Sequence, residues 1–414
     1  ARTEYIRALG CSQQDALEHD DKFGFAVRHI DVDYKAPAVL DDALTVTCEV
    51  KEFGGARVLI HFGGGSAIRS GLLKEVEESL DKSGIKYVEL GGVVPNPLLS
   101  KVREGISLCR KEKLDFILAV GGGSVIDSSK AIAYGLANDC DVWDLYCGKC
   151  KARGAAPVGA VLTIAAAGSE TSESSVITND DGMLKRGYSS DFGHCKFAVM
   201  NPELTCTLPK FQTFSGCVDI VMHTLERYFS SQKDTMLQDS IAEALIRTVI
   251  ANAKILQLEP ENYAARAEIM WASTLSHNGV TGYRFIGDWA SHQLEHELSG
   301  MFGVAHGAGL SAIWGAWARY VMPEAAEKLA RLGKNVFGIC ESDSASAALK
   351  TITSFENTFS SWDMPISLRE LGIDPTDAQL DELARKCSFD NSRTIGAIKK
   401  LNIDDMRKIY ASAR

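Results

Sequence analysis

An α/β unit on a parallel sheet, followed by an all-helical unit and preceded by a short β-rich segment, is the architecture that the sequence predicts. Three observations carry it. Between residues 58 and about 204, short apolar strands alternate with Gly-rich turns and amphipathic helices, the pattern of a parallel sheet with helical crossovers. From residue 211 onward only long helical periods remain. The first 57 residues follow neither pattern.

The elements follow in order. A short helical start leads to FAVRHIDVDY and ALTVTCEV, two segments of period-two alternation joined through KAPAVLDD, with Pro37, Asp41 and Asp42 marking the connection; these read as antiparallel strands. VLIHF (58–62) runs into GGGSAIRSG and the helical LLKEVEESLDKSG, and YVEL (87–90) into GGVVPNP. FILAV (116–120) precedes GGGSVIDSSKAIAYGLA, VGAVLT (158–163) precedes AAAGSE, and FAVM (197–200) closes the series. After Leu208 and Pro209 the texture changes to stretches such as DIVMHTLERYF and SIAEALIRTVIANAKIL. The expected division is 1–57, 58–208 and 209–414.

Composition narrows the partners. Apolar residues make up 45% of 414, enough for a large core, and the net charge of -10 argues against nucleic acid or an anionic membrane as partner. No apolar run reaches the roughly 20 residues of a membrane helix. ARTEYIRALG lacks the apolar stretch of a signal peptide, so the cytoplasm is the expected compartment. Eleven scattered cysteines, an odd number, fit reduced thiols. Cys147 and Cys150 have redox or zinc spacing, but without a second such pair they read as loop cysteines.

Two turns have the chemistry of a cofactor site. Gly121, Gly122, Gly123 and Ser124 stand where a buried strand gives way to a helix. Backbone N–H groups there, uncrowded by side chains, form an anion site for a diphosphate. Ser124, Asp127 and Lys130 recur every three residues, so Lys130 can add charge near phosphates or ribose and Asp127 can accept a hydroxyl. A tight turn with no ligand fits the three glycines as well. The earlier turn carries Gly64, Gly65 and Ser66, with Arg69 nearby and no acid to hold a ribose 2′-hydroxyl. That favours NADP(H) over NAD(H).

A metal site is the other candidate. Asp219 and His223 are four apart, as are His292 and His296 in HQLEHELSGMFGVAH, so each pair shares a helical face. Gly300 and Gly303 allow the chain to turn back toward His306. One oxygen and three nitrogens from Asp219, His223, His292 and His306 would suit Fe(II) or Zn(II), with a position open for a substrate oxygen. Taken singly, each histidine is equally at home as a packed or solvated side chain, and spacing does not show convergence.

These residues resemble a known family. GGGSVIDSSKAIA, PNP (95–97), VLTIAAAGSETSES, FAVMNPELTCTLP, the Asp219–His223 pair and DWASHQLEHELSGMFGVAHG are similar to the iron-dependent alcohol dehydrogenases, most closely the butanol-dehydrogenase-like, aldehyde-reducing branch. The resemblance runs from about Val58 to the C-terminus and includes WDMPISLRELGI (362–373). It implies Asp219, His223, His292 and His306 as metal ligands and His296 as a histidine lining the active site, with a role in proton relay. It implies the diphosphate at 121–124, Pro95 and Asn96 on the cofactor side, and 163–170, including Thr163, Gly168 and Ser169, beside the nicotinamide. Gly64, Gly65 and Ser66 would face the adenine ribose as in members preferring NADPH. The implied reaction is hydride transfer between NAD(P)H and a short- to medium-chain aldehyde or primary alcohol, in a cytoplasmic homodimer. Ala167 stands where a threonine is common. Residues 1–57 instead resemble a fragment of a hotdog-fold acyl-CoA thioesterase, joined near 54–58, that begins after the segment bearing that family's catalytic acid. The alternatives are a catalytically impaired chimera or a zinc-dependent glycerol-dehydrogenase-like relative.

Overall fold

Strand β3 (Phe116–Gly121), FILAVG, is buried along its whole length, as is β4 (Val158–Leu162). Strands apolar on both faces belong in the middle of a parallel sheet covered on each side, and that is where these two lie. With β1 (Arg57–Gly63), β2 (Lys86–Val93) and β7 (Phe197–Val199) they form a five-stranded parallel sheet in the order β2-β1-β3-β4-β7. The computed structural model describes residues 56–232, 234–282 and 287–414. The strands expected in FAVRHIDVDY and ALTVTCEV lie outside the described residues.

Alternation along the strands sorts the two faces. Val58, Ile60 and Phe62 of β1 join Phe116, Leu118 and Val120 of β3 against Leu73 and Leu80 of helix α1 (Leu72–Lys82). Leu59 and Ile117 point the other way, toward helices α2 (Leu99–Glu112) and α3 (Gly123–Ala137). His61 shares that second face. Its Nδ1–H donates to the carbonyl of Leu90 at 2.7 Å, and its Nε2 accepts from the Ser128 hydroxyl at 2.9 Å. Burial holds its pKa down to about 4, so the ring is neutral in the fold. The unfolded chain therefore takes up a proton first as pH falls from about 6.5 toward 4, and stability present above that window is lost within it, by about 3 kcal/mol. Urea unfolding at pH 7, 5.5 and 4.5 checks this: His61→Gln is expected to flatten the dependence.

An antiparallel hairpin, β5 (Ser174–Asn179) and β6 (Leu184–Ser189), is an addition to the predicted elements. Cys140 and Cys150 form a disulfide, in contrast to the reduced thiols expected throughout.

Beyond β7 the described residues form helices: α4 (Lys210–Tyr228), α5 (Met236–Leu258), α6 (Tyr263–His277), α7 (Ala290–Phe302), α8 (His306–Phe337), α9 (Ser344–Ser361), α10 (Asp377–Cys387) and α11 (Ile403–Ser412). One apolar cluster runs from Ala119, Val125 and Ala160 of the sheet side through Phe214, Val218 and Val221 of α4 to Trp314 and Phe355. Sheet and helices therefore share a core. Among the described residues, no helix is long and apolar enough to cross a membrane.

Candidate metal and cofactor site

Glycines bring the site's elements together. A Cβ on Gly307, directly after His306, would lie 2.0 Å from the carbonyl oxygen of Ser215. Only glycine lets the start of α8 approach α4 this closely, and the approach sets His306 opposite Asp219. Gly303, at φ 67, ends α7 and turns the chain back as its sequence suggested. Gly300 does something else. It lies inside α7, where a Cβ would come within 2.8 Å of the Met183 carbonyl at the hairpin tip.

Asp219, His292 and His306 converge. Their donor atoms lie within 4.8 Å of one another, with Nε2 of His292 and of His306 at 3.9 and 3.7 Å from the same oxygen, Oδ1 of Asp219. His223 is outside that group of three. Its Nδ1 is 3.0 Å from Asp219 Oδ1, and its ring centroid 4.5 Å from that of His292. Asp219 is 4% exposed and His292 4%, yet Oδ1 of the first and Nε2 of the second have no hydrogen-bond partner among the described residues. A buried acceptor and a buried imidazole nitrogen left open toward each other fit a shared cation. The electrostatics agree. Burial alone would raise the Asp219 carboxyl, but the His223 and His306 rings beside it hold it well below the carboxylate range. Burial would likewise depress His292, but the Asp219 and Glu226 carboxylates lift it to about 9.

Sequence reasoning missed the groups behind these ligands. Oε1 of Glu226 accepts from Nδ1 of His292 at 2.8 Å and from its backbone N–H at 3.0 Å. Glu295 accepts from Nδ1 of His306 and from Ser299, with Lys185 of β6 3.4 Å away. Glu226 is seven residues after Asp219 and Glu295 three after His292, so helical spacing placed both on the ligand-bearing faces. His296 is buried near His306, at a centroid distance of 5.8 Å. Burial, and then the Lys185 charge, hold its pKa well below the ordinary imidazole range.

The 121–124 turn joins β3 to α3. Gly122 is the N-cap of α3, and Cβ atoms on Gly121 and Gly122 would come within 2.5 Å of Val125 and 2.1 Å of Ile164. The backbone of 163–170 crosses beside it, with Thr163 N–H donating to the Gly121 carbonyl at 3.2 Å. The same stretch abuts the helices: a Cβ on Gly216 of α4 would lie 2.3 Å from the Ala165 oxygen, and one on Gly168 2.5 Å from the Ser273 oxygen. Gly216 is three residues before Asp219, so the 121–124 turn and α4 meet at this stretch. The Gly64, Gly65 and Ser66 turn is open, with nothing within 4 Å of a Cβ on Gly64 and only Arg69 close to one on Gly65. Pro95 is exposed, while the Asn96 amide donates to the Val304 carbonyl at 3.3 Å and steadies the turn before His306.

Lys130 needs correction, and Asp127 is anchored beside it. They share a helical side, but that side faces inward. The Lys130 ammonium donates to the carbonyls of Ser169, Ser172 and Ser174 at 2.7, 2.7 and 2.8 Å. Asp127 accepts from the Ser169 hydroxyl and, at 2.9 Å, from the Val176 N–H. The three donors of Lys130 are used within the chain and leave none for phosphate or ribose. Asp127, partly exposed, keeps acceptor capacity on both oxygens. Together they pin the stretch leading into β5. Ser124 keeps its place on the first turn of α3.

The chain is similar to known proteins. A model described as iron-containing alcohol dehydrogenase matches residues 41–202, and one for the C-terminal part of that family matches 213–414. A thioesterase superfamily model matches 1–62, overlapping the first. NADH-dependent butanol dehydrogenase A of Clostridium acetobutylicum is 38% identical over 364 residues, 87% of this chain and 93% of the relative. NADPH-dependent aldehyde reductase YqhD of Escherichia coli is 34% identical over 362 residues, 87% of this chain and 92% of the relative. The crystal structure of NADH-dependent butanol dehydrogenase A from Thermotoga maritima superposes with a TM-score of 0.83 at 37% identity, covering 86% of this chain and 91% of that one.

Proposed function

The chain belongs to the iron-containing alcohol dehydrogenase family, and from that premise we propose that it reduces short- to medium-chain aldehydes to primary alcohols with NADPH in preference to NADH. The oxidoreductase activity on alcohols with a nicotinamide cofactor follows from the family; the substrate range, the preference and the site residues are our reading. The observation that carries it is the convergence of Asp219, His292 and His306 donors within 4.8 Å, beside the stretch where the Gly121–Gly122 turn meets α4.

Asp219, His223, His292 and His306 would hold the metal, Fe(II) or else Zn(II). When bound, the metal supplies Lewis acidity toward a carbonyl oxygen and the nicotinamide supplies the hydride. The chain's part is placement. Gly121, Gly122, Gly123 and Ser124 present a helix N-terminus to the diphosphate. Thr163, Gly168 and Ser169 form the wall toward the nicotinamide, and Glu170 fastens that wall by accepting from Thr274 on α6 at 2.7 Å. His296, neutral and buried, would line the substrate side beside His306, at a ring-centroid distance of 5.8 Å. The resemblance extends the reading to a homodimer in the cytoplasm.

Support for NADPH comes from the open Gly64–Gly65–Ser66 turn and Arg69. The C. acetobutylicum relative carries the name NADH-dependent, so the preference is a specific expectation for this chain. Anaerobic oxidation of NADPH and of NADH by Fe(II)-loaded protein with butanal tests it. At least about tenfold higher kcat/KM with NADPH is expected, a difference of about 1.4 kcal/mol. Equal or reversed values would remove the preference, and no turnover from metal-loaded protein would favour the impaired chimera.

A further inference from the structure

Each histidine of the centre has one ring nitrogen already engaged. Nδ1 of His223 donates to the Asp219 backbone carbonyl at 3.0 Å, Nδ1 of His292 to Glu226 at 2.8 Å, and Nδ1 of His306 to Glu295. A carboxylate acceptor takes the Nδ1 proton, so in the last two rings Nε2 is the nitrogen left to give a lone pair to a metal, which displaces any proton it carries. Those two Nε2 atoms are the ones that face Asp219 Oδ1, at 3.9 and 3.7 Å.

We propose that Glu226 and Glu295 are the positioning residues of the metal centre, each fixing the tautomer and ring angle of one ligand histidine so that both Nε2 lone pairs converge with Asp219. The inference rests on the metal reading of Asp219, His292 and His306. Glu226 is 3% exposed. By taking both Nδ1 and the backbone N–H of His292 on one oxygen, it ties the ring to the first turn of α7 and both to α4. Glu295, fully buried, joins α7 to the start of α8 through His306.

A second use of Glu295 competes with this one. Glu295, His296 and His306 also place donor atoms within 4.8 Å of one another, which suggests a second cation seat. Two contacts argue against it. The Lys185 ammonium is 3.4 Å from Glu295 Oε2 and 3.5 Å from His306 Nδ1, so a cation of the chain's own already sits there. With Nδ1 of His306 protonated toward Glu295, that nitrogen has no lone pair to offer. The second cluster is a carboxylate clamp with its counterion supplied by the hairpin.

The test is Zn(II) affinity and stoichiometry of metal-free wild type, Glu226→Ala, Glu226→Gln, Glu295→Ala, Glu295→Gln and Asp219→Ala, by competition with a chromophoric chelator. Visible absorption of the Co(II)-loaded proteins reports ligand geometry. Wild type is expected to take one Zn(II) per chain. Each alanine variant should bind roughly 10–100-fold more weakly, at the same stoichiometry and with shifted Co(II) bands. The glutamine variants, whose amide oxygen still accepts from Nδ1, should recover most of the loss. Melting of the metal-free proteins identifies any variant that fails to fold, and the glutamine pair then carries the comparison. Alanine variants within about twofold of wild type and with its Co(II) spectrum would overturn the proposal. So would a loss that glutamine does not restore, or a second Zn(II) per chain that Glu295→Ala removes. If Asp219→Ala loses Zn(II) and the glutamate variants do not, positioning alone fails. If wild type binds no better than Asp219→Ala, the metal reading fails with it.

Discussion

An Asp219→Ala variant is expected to lose the metal, and with it roughly a thousandfold in kcat/KM for aldehyde reduction. Asp219 is the hub of the site: Nε2 of His292 and of His306 lie 3.9 and 3.7 Å from its Oδ1, and Nδ1 of His223 lies 3.0 Å from the same oxygen. Removing the carboxylate takes away the only anionic donor of the four proposed ligands and leaves imidazole nitrogens alone to hold the cation. Asp219→Asn is the sharper variant, because it keeps the shape and removes the charge. Metal content by atomic absorption, measured beside kcat/KM with Fe(II) resupplied, checks both. A variant that keeps one metal per chain would show that Asp219 is not a ligand.

What the sequence made legible here is the periodicity. Asp219 and His223 one turn apart, and His292 before a glycine turn to His306, declared a shared face; the buried apolar runs of β1, β3 and β4 declared the sheet. What stayed hidden has one physical cause: the missed parts bury polar groups. The hairpin escapes notice because LKRGYS points Lys185 inward, to 5% exposure, where an apolar residue would have revealed a strand. Glu226 and Glu295 read as solvated helix positions, although both are within 3% of full burial. Asp127 and Lys130 do share one side of α3, but spacing cannot say whether that side faces a ligand or the protein.

A Lys130→Met variant is expected to lose about 3–5 kcal/mol of stability together with cofactor binding. Lys130 is 1% exposed, and its ammonium is the common donor to the carbonyls of Ser169, Ser172 and Ser174. Methionine fills similar space but removes the donor that the three carbonyls share and leaves Asp127 without its neighbouring charge. Since those carbonyls lie on the stretch between the nicotinamide wall and β5, loosening should spread to the cofactor side. Urea unfolding gives the stability change, and NADPH fluorescence titration gives the affinity. Lys130 acting on phosphate instead would cost affinity while leaving the unfolding midpoint near that of wild type.

The glycine contacts at the seam between sheet and helices restrict how the cleft can move. The Ala165 oxygen occupies the space where Gly216 has no Cβ, and the Ser273 oxygen the space where Gly168 has none. Carbonyls seated in such notches block sliding of one layer along the other, because a shift of about one ångström would drive backbone into backbone. Rotation about the same line separates the surfaces without collision. Any opening between sheet and helices along this line is therefore expected to proceed by rotation rather than by sliding.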